Sequence, residues 1–418
     1  MNSLKIKKST VGVFIIYFSL MDSVFPFADG SSMTSFFYWT KFLVALIVIG
    51  YSFIKKKPLA ELREMRSITK LLRRVILFPW IVILAYSMLI WAIQKPGMQY
   101  ITRGLSNYIS IIMPLFLGFS LVEIFGKKAI NITIIAVCLM TLTNYIVGVI
   151  ANGPIFIIKL FDIFEKERSI LKYKELHESA YISACLLIFY YIKKQYKIDR
   201  KWIILSAACF FFAWKRIGIL AFLMGLMFYK LLMFVDKKSK KYSIIVCGSF
   251  GLILSMVYVA FSTSDGLTAL LHEFGINMMG RDILYSYFRR FCDFSLSYLG
   301  HGIGFVSRQF NYATYDDLGY MYVLKQGLHN DLLCMYIEIG MLCFCVWLWY
   351  QLIYIPQTIN KYYGIKASMG CFALTIFNFV TYTTSNTLRS FVFQTVYIIL
   401  ICLFCYSGRF ENNDTRLI

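Results

Sequence analysis

Leu328-His329-Asn330-Asp331 stands where a long polar segment meets an apolar run, Leu332 to Tyr350, that carries Glu338 and Gly340. The chain has only 4 histidines among 418 residues, so one at such a junction raises the first chemical question. A neutral imidazole accepts a proton from an alcohol near pH 7, and a helix start at a membrane surface would hold it steady. Upstream, Gly280-Arg281-Asp282 opens a stretch with Leu284, Tyr285, Phe288 and Phe291 at three- and four-residue steps, which predicts a helix with one apolar face over 281–298. Arg281 and Arg289 then point roughly the same way, with Arg290 about 100° round. Guanidinium forks suit phosphate oxygens. Lys215-Arg216 adds a second basic pair between two apolar runs. The bland alternative for His329 is a capping histidine with no chemistry.

The elements that must position these residues are membrane helices. The chain is 59% hydrophobic and 16% charged, against roughly 25% charged in a soluble domain. Apolar runs long enough to cross a bilayer recur along its length, which predicts an all-α polytopic membrane protein forming one integral membrane domain over 1–418. The net charge of +21 lies in short basic stretches between apolar runs, so it reads as topology rather than as a nucleic-acid surface. The 11 cysteines are scattered, nearly all in apolar runs, and read as small hydrophobes.

About twelve spans are expected, over 11–28, 36–54, 75–93, 104–125, 129–151, 180–192, 202–213, 217–235, 242–261, 331–353, 367–383 and 390–406. The first is expected to remain as a span rather than to be cleaved. Lys and Arg concentrate in 55–74, 193–201 and 237–241, which assigns those segments and both termini to the cytoplasm. The stretch 202–234 is too long for one span, and is divided at Lys215-Arg216. Two short helices would set Arg216 below the outer surface, within reach of an internal cavity, where a buried cation usually serves a site.

Two long connections remain, 152–179 and 262–330, the second placed outside between the ninth and tenth spans. Within the second, Gly300-His301-Gly302-Ile303-Gly304 reads as a flexible turn. Tyr312, Tyr315, Tyr320 and Tyr322 follow, as stacking faces for sugars or as ordinary loop packing. Asp331 and Glu338 share a helix face, whereas His329 and Glu338 point to opposite faces. Glu338 is thus expected to be a structural acid paired inside the bundle. Asp22, in the first span, has no partner that the sequence identifies.

In order, Lys215-Arg216-Ile217-Gly218, Gly280-Arg281, Gly302-Ile303-Gly304 and His329-Asn330-x-x-Leu333-x-x-x-x-Glu338-x-Gly340 resemble the bacterial O-antigen polymerase and O-antigen ligase superfamily. Members often carry Ser-Arg where this chain has Lys215-Arg216. The resemblance implies a GT-C-like glycosyltransferase in the bacterial cytoplasmic membrane. Such an enzyme polymerises undecaprenyl-pyrophosphate-linked oligosaccharide repeat units into a surface polysaccharide, O-antigen or capsule, by inverting transfer at the outer face. It implies catalytic roles for His329, Arg281 and Arg216, and substrate contacts from Arg289, Lys215, Asn330 and Tyr315. Glu338 and Gly340 are then structural. No metal, cofactor or nucleic acid is implied; membrane lipids and a chain-length regulator protein are the expected partners. A ligase moving finished glycan to a lipid A core shares these motifs. A lipid-linked oligosaccharide flippase would usually show two related halves, and no half-repeat is visible. A non-catalytic scaffold would leave Arg216, Arg281 and His329 replaceable.

Overall fold

The computed structural model describes residues 8–24, 32–54, 60–154, 177–193, 200–213, 215–236, 238–275, 278, 280–319 and 327–414. Among them there are helices and no strands. In chain order the elements are α1 (Lys8–Val24), α2 (Ser32–Ile54), α3 (Ala60–Gln94), α4 (Met98–Phe125), α5 (Lys128–Asn152) and α6 (His177–Ile192). Next come α7 (Arg200–Ala213), α8 (Arg216–Phe234), α9 (Lys240–Thr263), α10 (Gly266–Glu273), α11 (Arg281–Arg289), α12 (Phe305–Tyr312) and α13 (Tyr315–Leu318). The chain ends with α14 (Asp331–Trp349), a π turn (Tyr350–Tyr354), α15 (Ile355–Tyr363), α16 (Ile365–Tyr382), a 3-10 turn (Thr387–Arg389) and α17 (Phe391–Asp414).

A helix underlies each apolar run expected to span, and 7 of the described helices are long and apolar enough to cross a membrane. The basic stretch before the third run is helical as well, so α3 begins at Ala60 rather than near 75. Residues 202–234 do divide at Lys215-Arg216, between α7 and α8. The side chains of Asp22 and His177, and residues Tyr320 and Tyr322, lie outside what the structure describes.

The chain forms two compact units. The first comprises Met1–Lys70, Met113–Leu226 and Ser390–Tyr406. Here α5 packs along α1, with Tyr17 Oη and Thr143 Oγ1 at 2.8 Å. Ser179 at the start of α6 meets Thr141 of α5 at 3.0 Å, and Phe189 and Phe404 pack with ring centroids 4.8 Å apart. Cys402 and Cys405 are fully buried apolar core.

The second unit comprises Leu71–Ile112, Met227–Arg389 and Ser407–Ile418. Its centre is α14, all of whose side chains from Asp331 to Met341 are buried. The apolar run reads as one helix, but α14 breaks at Gly340 (φ 68°, ψ 175°). There Met341 N–H, the regular donor for the Ile337 carbonyl, donates instead to Tyr298 O at 2.9 Å. Gly302 N–H donates to Glu338 O at 2.7 Å. The segment Tyr298–Gly302 therefore fills the break. A Cβ on Gly340 would fall into the Leu299 carbonyl, so the approach requires glycine on both backbone and steric grounds.

That plug overturns two expectations. The predicted 281–298 helix stops at Arg289, because 290–304 is diverted across the face of α14, where Tyr298 Oη donates to Ile337 O at 2.9 Å. The Gly300–Gly304 segment is no flexible turn. Gly300, Gly302 and Gly304 all have positive φ (81°, 85° and 85°) and are buried against α14, Trp91 and Gly104. Order in this stretch comes from packing that the local sequence does not declare.

Candidate functional site

The start of α14 is built by Asn330, whose side-chain Oδ1 accepts Leu333 N–H at 3.0 Å as an N-cap. Its Nδ2 donates to the Tyr258 hydroxyl of α9 at 3.0 Å and to the Tyr285 hydroxyl of α11 at 3.3 Å. The Tyr258 hydroxyl in turn donates to the Thr383 carbonyl beyond α16. One buried amide thus ties the helix start to three other elements.

His329 sits just outside that cap. Its neighbours Leu328, Asn330 and Asp331 are 2%, 0% and 1% exposed, whereas His329 is partly exposed. Its φ is 52°, a left-handed conformation that costs a residue with a side chain about 1–3 kcal/mol. The surrounding network holds the backbone there and turns this one side chain of the tetrad outward.

Arg281 is the first residue of α11, following Gly280 at φ 81°. Tyr285 lies one turn further along the same helix. Burial pushes the Tyr285 hydroxyl above its usual range, and the Arg281 charge and the hydrogen bonds to Asn330 and Tyr258 pull the other way. The Asn330 amide on Tyr285 therefore joins the His329-Asn330 junction to the helix that Arg281 begins. A cation at a helix N-terminus opposes the helix dipole by about 0.3–1 kcal/mol, and an anion placed there would be held by both guanidinium and backbone N–H groups.

Asp331 and Glu338 do lie on one face, and both are bound by the turn Thr387–Arg389. Leu388 N–H donates to Asp331 Oδ2 at 2.7 Å, and Arg389 Nη2 donates to Glu338 Oε2 at 2.8 Å. The second Glu338 oxygen, Oε1, accepts Val306 N–H at 3.2 Å, near the N-terminus of α12. Glu338 is fully buried, which fits an acid working on structure.

Other assignments change. Arg289 was expected to face phosphate, but its guanidinium is taken up by Asp265, the Ser262 carbonyl (3.3 Å) and Thr268 Oγ1 (2.9 Å). It fastens α11 to the corner between α9 and α10. Asn330 was expected to touch substrate, but it is fully buried and engaged with protein on both sides of its amide. Arg216 was expected below the outer surface, within reach of an internal cavity; its side chain is exposed, and Lys215 is the half-buried member of the pair. That pair belongs to the first unit, at the start of α8, where Ile219 N–H donates to Lys215 O at 3.0 Å. Tyr315 is exposed at 60%, as is Tyr312 at 57%, whose ring lies 5.0 Å from the Arg308 guanidinium.

His301 has a structural place. Its Nε2–H donates to Phe291 O at 2.8 Å and its ring stacks on Phe305 at 3.9 Å. Burial lowers its pKa. Arg389, Tyr258 and Tyr285 escaped sequence reasoning. The two tyrosines look like apolar-face residues, and the signal for Arg389 was a lone cation in a short connection between apolar runs. No protein-family model matches the chain, and comparison with curated proteins finds no match.

Proposed function

We propose that this protein is a membrane glycosyltransferase that polymerises polyprenyl-pyrophosphate-linked oligosaccharide repeat units into a surface polysaccharide. The observation that carries the reading is the Asn330 amide bound to the Tyr258 and Tyr285 hydroxyls: it joins a partly exposed histidine in a left-handed backbone, the residue just before it, to a helix headed by Arg281 one turn before Tyr285. The seven helices able to cross a membrane suit a lipid-borne donor.

A sugar C1 bonded to pyrophosphate already has a good leaving group. The reaction then needs removal of the acceptor proton and stabilisation of departing charge. In the proposed step an acceptor oxygen attacks C1 with inversion, its proton passes to the His329 imidazole, and the C1–oxygen bond to pyrophosphate breaks. Arg281 and the first amides of α11 receive the anion. The exposed Tyr312 and Tyr315 rings stand as faces for sugar.

The test is made in cells that produce the polysaccharide, with His329→Ala and Arg281→Ala. Single repeat units should accumulate on their lipid carrier at normal protein level. Full-length polymer in the His329→Ala strain would sink the catalytic assignment, and units trapped on the cytoplasmic leaflet would point to a flippase.

A further inference from the structure

We infer that Arg389 is a positioning residue for the His329 junction, acting through Asp331 and Glu338; this rests on the reading of His329 as the base. The break at Gly340 detaches Asp331–Ile339 from the rest of its span. This stub, about 13 Å long at 1.5 Å per residue, does not take its direction from the helix beyond. Its direction comes from what grips it.

The grip is the turn Thr387–Arg389. Consecutive residues of that turn hold two acids that stand two helical turns, about 10 Å, apart: Leu388 N–H on Asp331, and the Arg389 guanidinium on Glu338. Both acids are buried, at 1% and 0% exposure, so no water substitutes for the turn. Arg389 pairs directly with Glu338, and the residue before it supplies the backbone N–H that holds Asp331. The far end of the stub is held by the 302–306 segment as well, since Glu338 also accepts Val306 N–H of α12 and its carbonyl receives Gly302 N–H. His329 is two residues before Asp331, outside the regular helix, and inherits whatever orientation the stub is given. Arg389 touches none of the proposed reacting atoms; it sets where the base stands.

The test uses the full-length protein in vesicles, with lipid-linked repeat units extracted from a strain lacking it. Arg389→Gln should lower kcat about 100-fold, the size of effect that a displacement of about 1 Å brings, with KM within about twofold of wild type. Arg389→Lys, which keeps the charge, should recover about a tenth of the wild-type rate or more. Arg389→Gln leaves a buried Glu338 carboxylate unpaired. Where that variant fails to assemble, Glu338→Gln with Arg389→Gln removes both charges and should show the same kcat loss at wild-type melting temperature. Wild-type kcat in an assembled variant overturns the inference, as does a rate loss that tracks the melting temperature. His329→Ala is measured beside them: polymerisation without His329 removes the base itself. Loss in His329→Ala with wild-type kcat in the double variant removes only the role of Arg389.

Discussion

The Asn330 amide donates to the Tyr285 hydroxyl at 3.3 Å, joining the start of one helix to a residue one turn inside another. The same amide nitrogen reaches Tyr258, so removing either phenol leaves one partner in place. Tyr285→Phe should therefore destabilise by about 0.5–1.5 kcal/mol, the range for one hydrogen bond. Asn330→Ala removes the cap and both donors and should lose more, about 2–3 kcal/mol. Thermal melting in detergent measures both; equal losses would contradict the shared-amide geometry.

His329→Gly separates stability from activity. Glycine adopts the φ of 52° without the side-chain penalty, so the variant should be as stable as wild type or more stable by up to about 1 kcal/mol. It should nevertheless make no polymer. A stable variant that still polymerises would remove the reason for keeping a histidine in that conformation.

Arg289→Ala tests the corrected assignment. Its partners tie down a corner of the fold, and Asp265 is largely exposed, so solvent screening limits that ion pair to less than about 1 kcal/mol. The variant should be modestly less stable, with polymer length unchanged. Loss of polymer at unchanged melting temperature would return Arg289 to the substrate.

His301 predicts a pH dependence with a definite sign. Burial holds its folded pKa below the unfolded value of about 6.5, so the unfolded chain binds the extra proton first. Its contribution is fully present above about pH 6.5 and is lost as pH falls toward the folded pKa. His301→Gln should flatten the decline of melting temperature below pH 6.5. An unchanged slope would show that the imidazole is not titrating there.

Cys292, outside the candidate spans, should resist alkylation. Burial pushes its thiol up to about 12, with Asp293 adding to the effect, so little thiolate exists at pH 8. Slow iodoacetamide labelling in the folded protein, and fast labelling after denaturation, is the expected pattern in a variant lacking the other cysteines. Rapid labelling of the folded protein would show that its thiol is not held in the protonated form.

Hydrophobic runs made the helices legible, since length and apolarity alone decide them. The split at Lys215-Arg216 was legible too, because 202–234 fits no single span. Gly340 was visible as a residue but its break was not: Leu332 to Tyr350 is apolar sequence with Glu338 as its one charge, and only Tyr298–Gly302, about forty residues upstream, explains the left-handed backbone. Spacing on α14 put Asp331 and Glu338 on one face, yet the turn that binds them lies some fifty residues downstream. Arg281 and His329 were singled out from their places at element starts, and the bonds from Asn330 to Tyr258 and Tyr285 that link those two starts are a tertiary relationship that no local pattern encodes.

The broken helix also sets an order of assembly. At the break Met341 N–H is served by Tyr298, and the Glu338 carbonyl by the N–H groups of His301 and Gly302, all of which arrive on a separate stretch of chain. Before that stretch docks, the cheapest way to satisfy those groups in a dry interior is an unbroken helix. The broken form of α14 is then a late product of folding, made when the incoming loop trades one set of backbone bonds for another. A chain whose loop has not closed would carry all its helices, with α14 still unbroken.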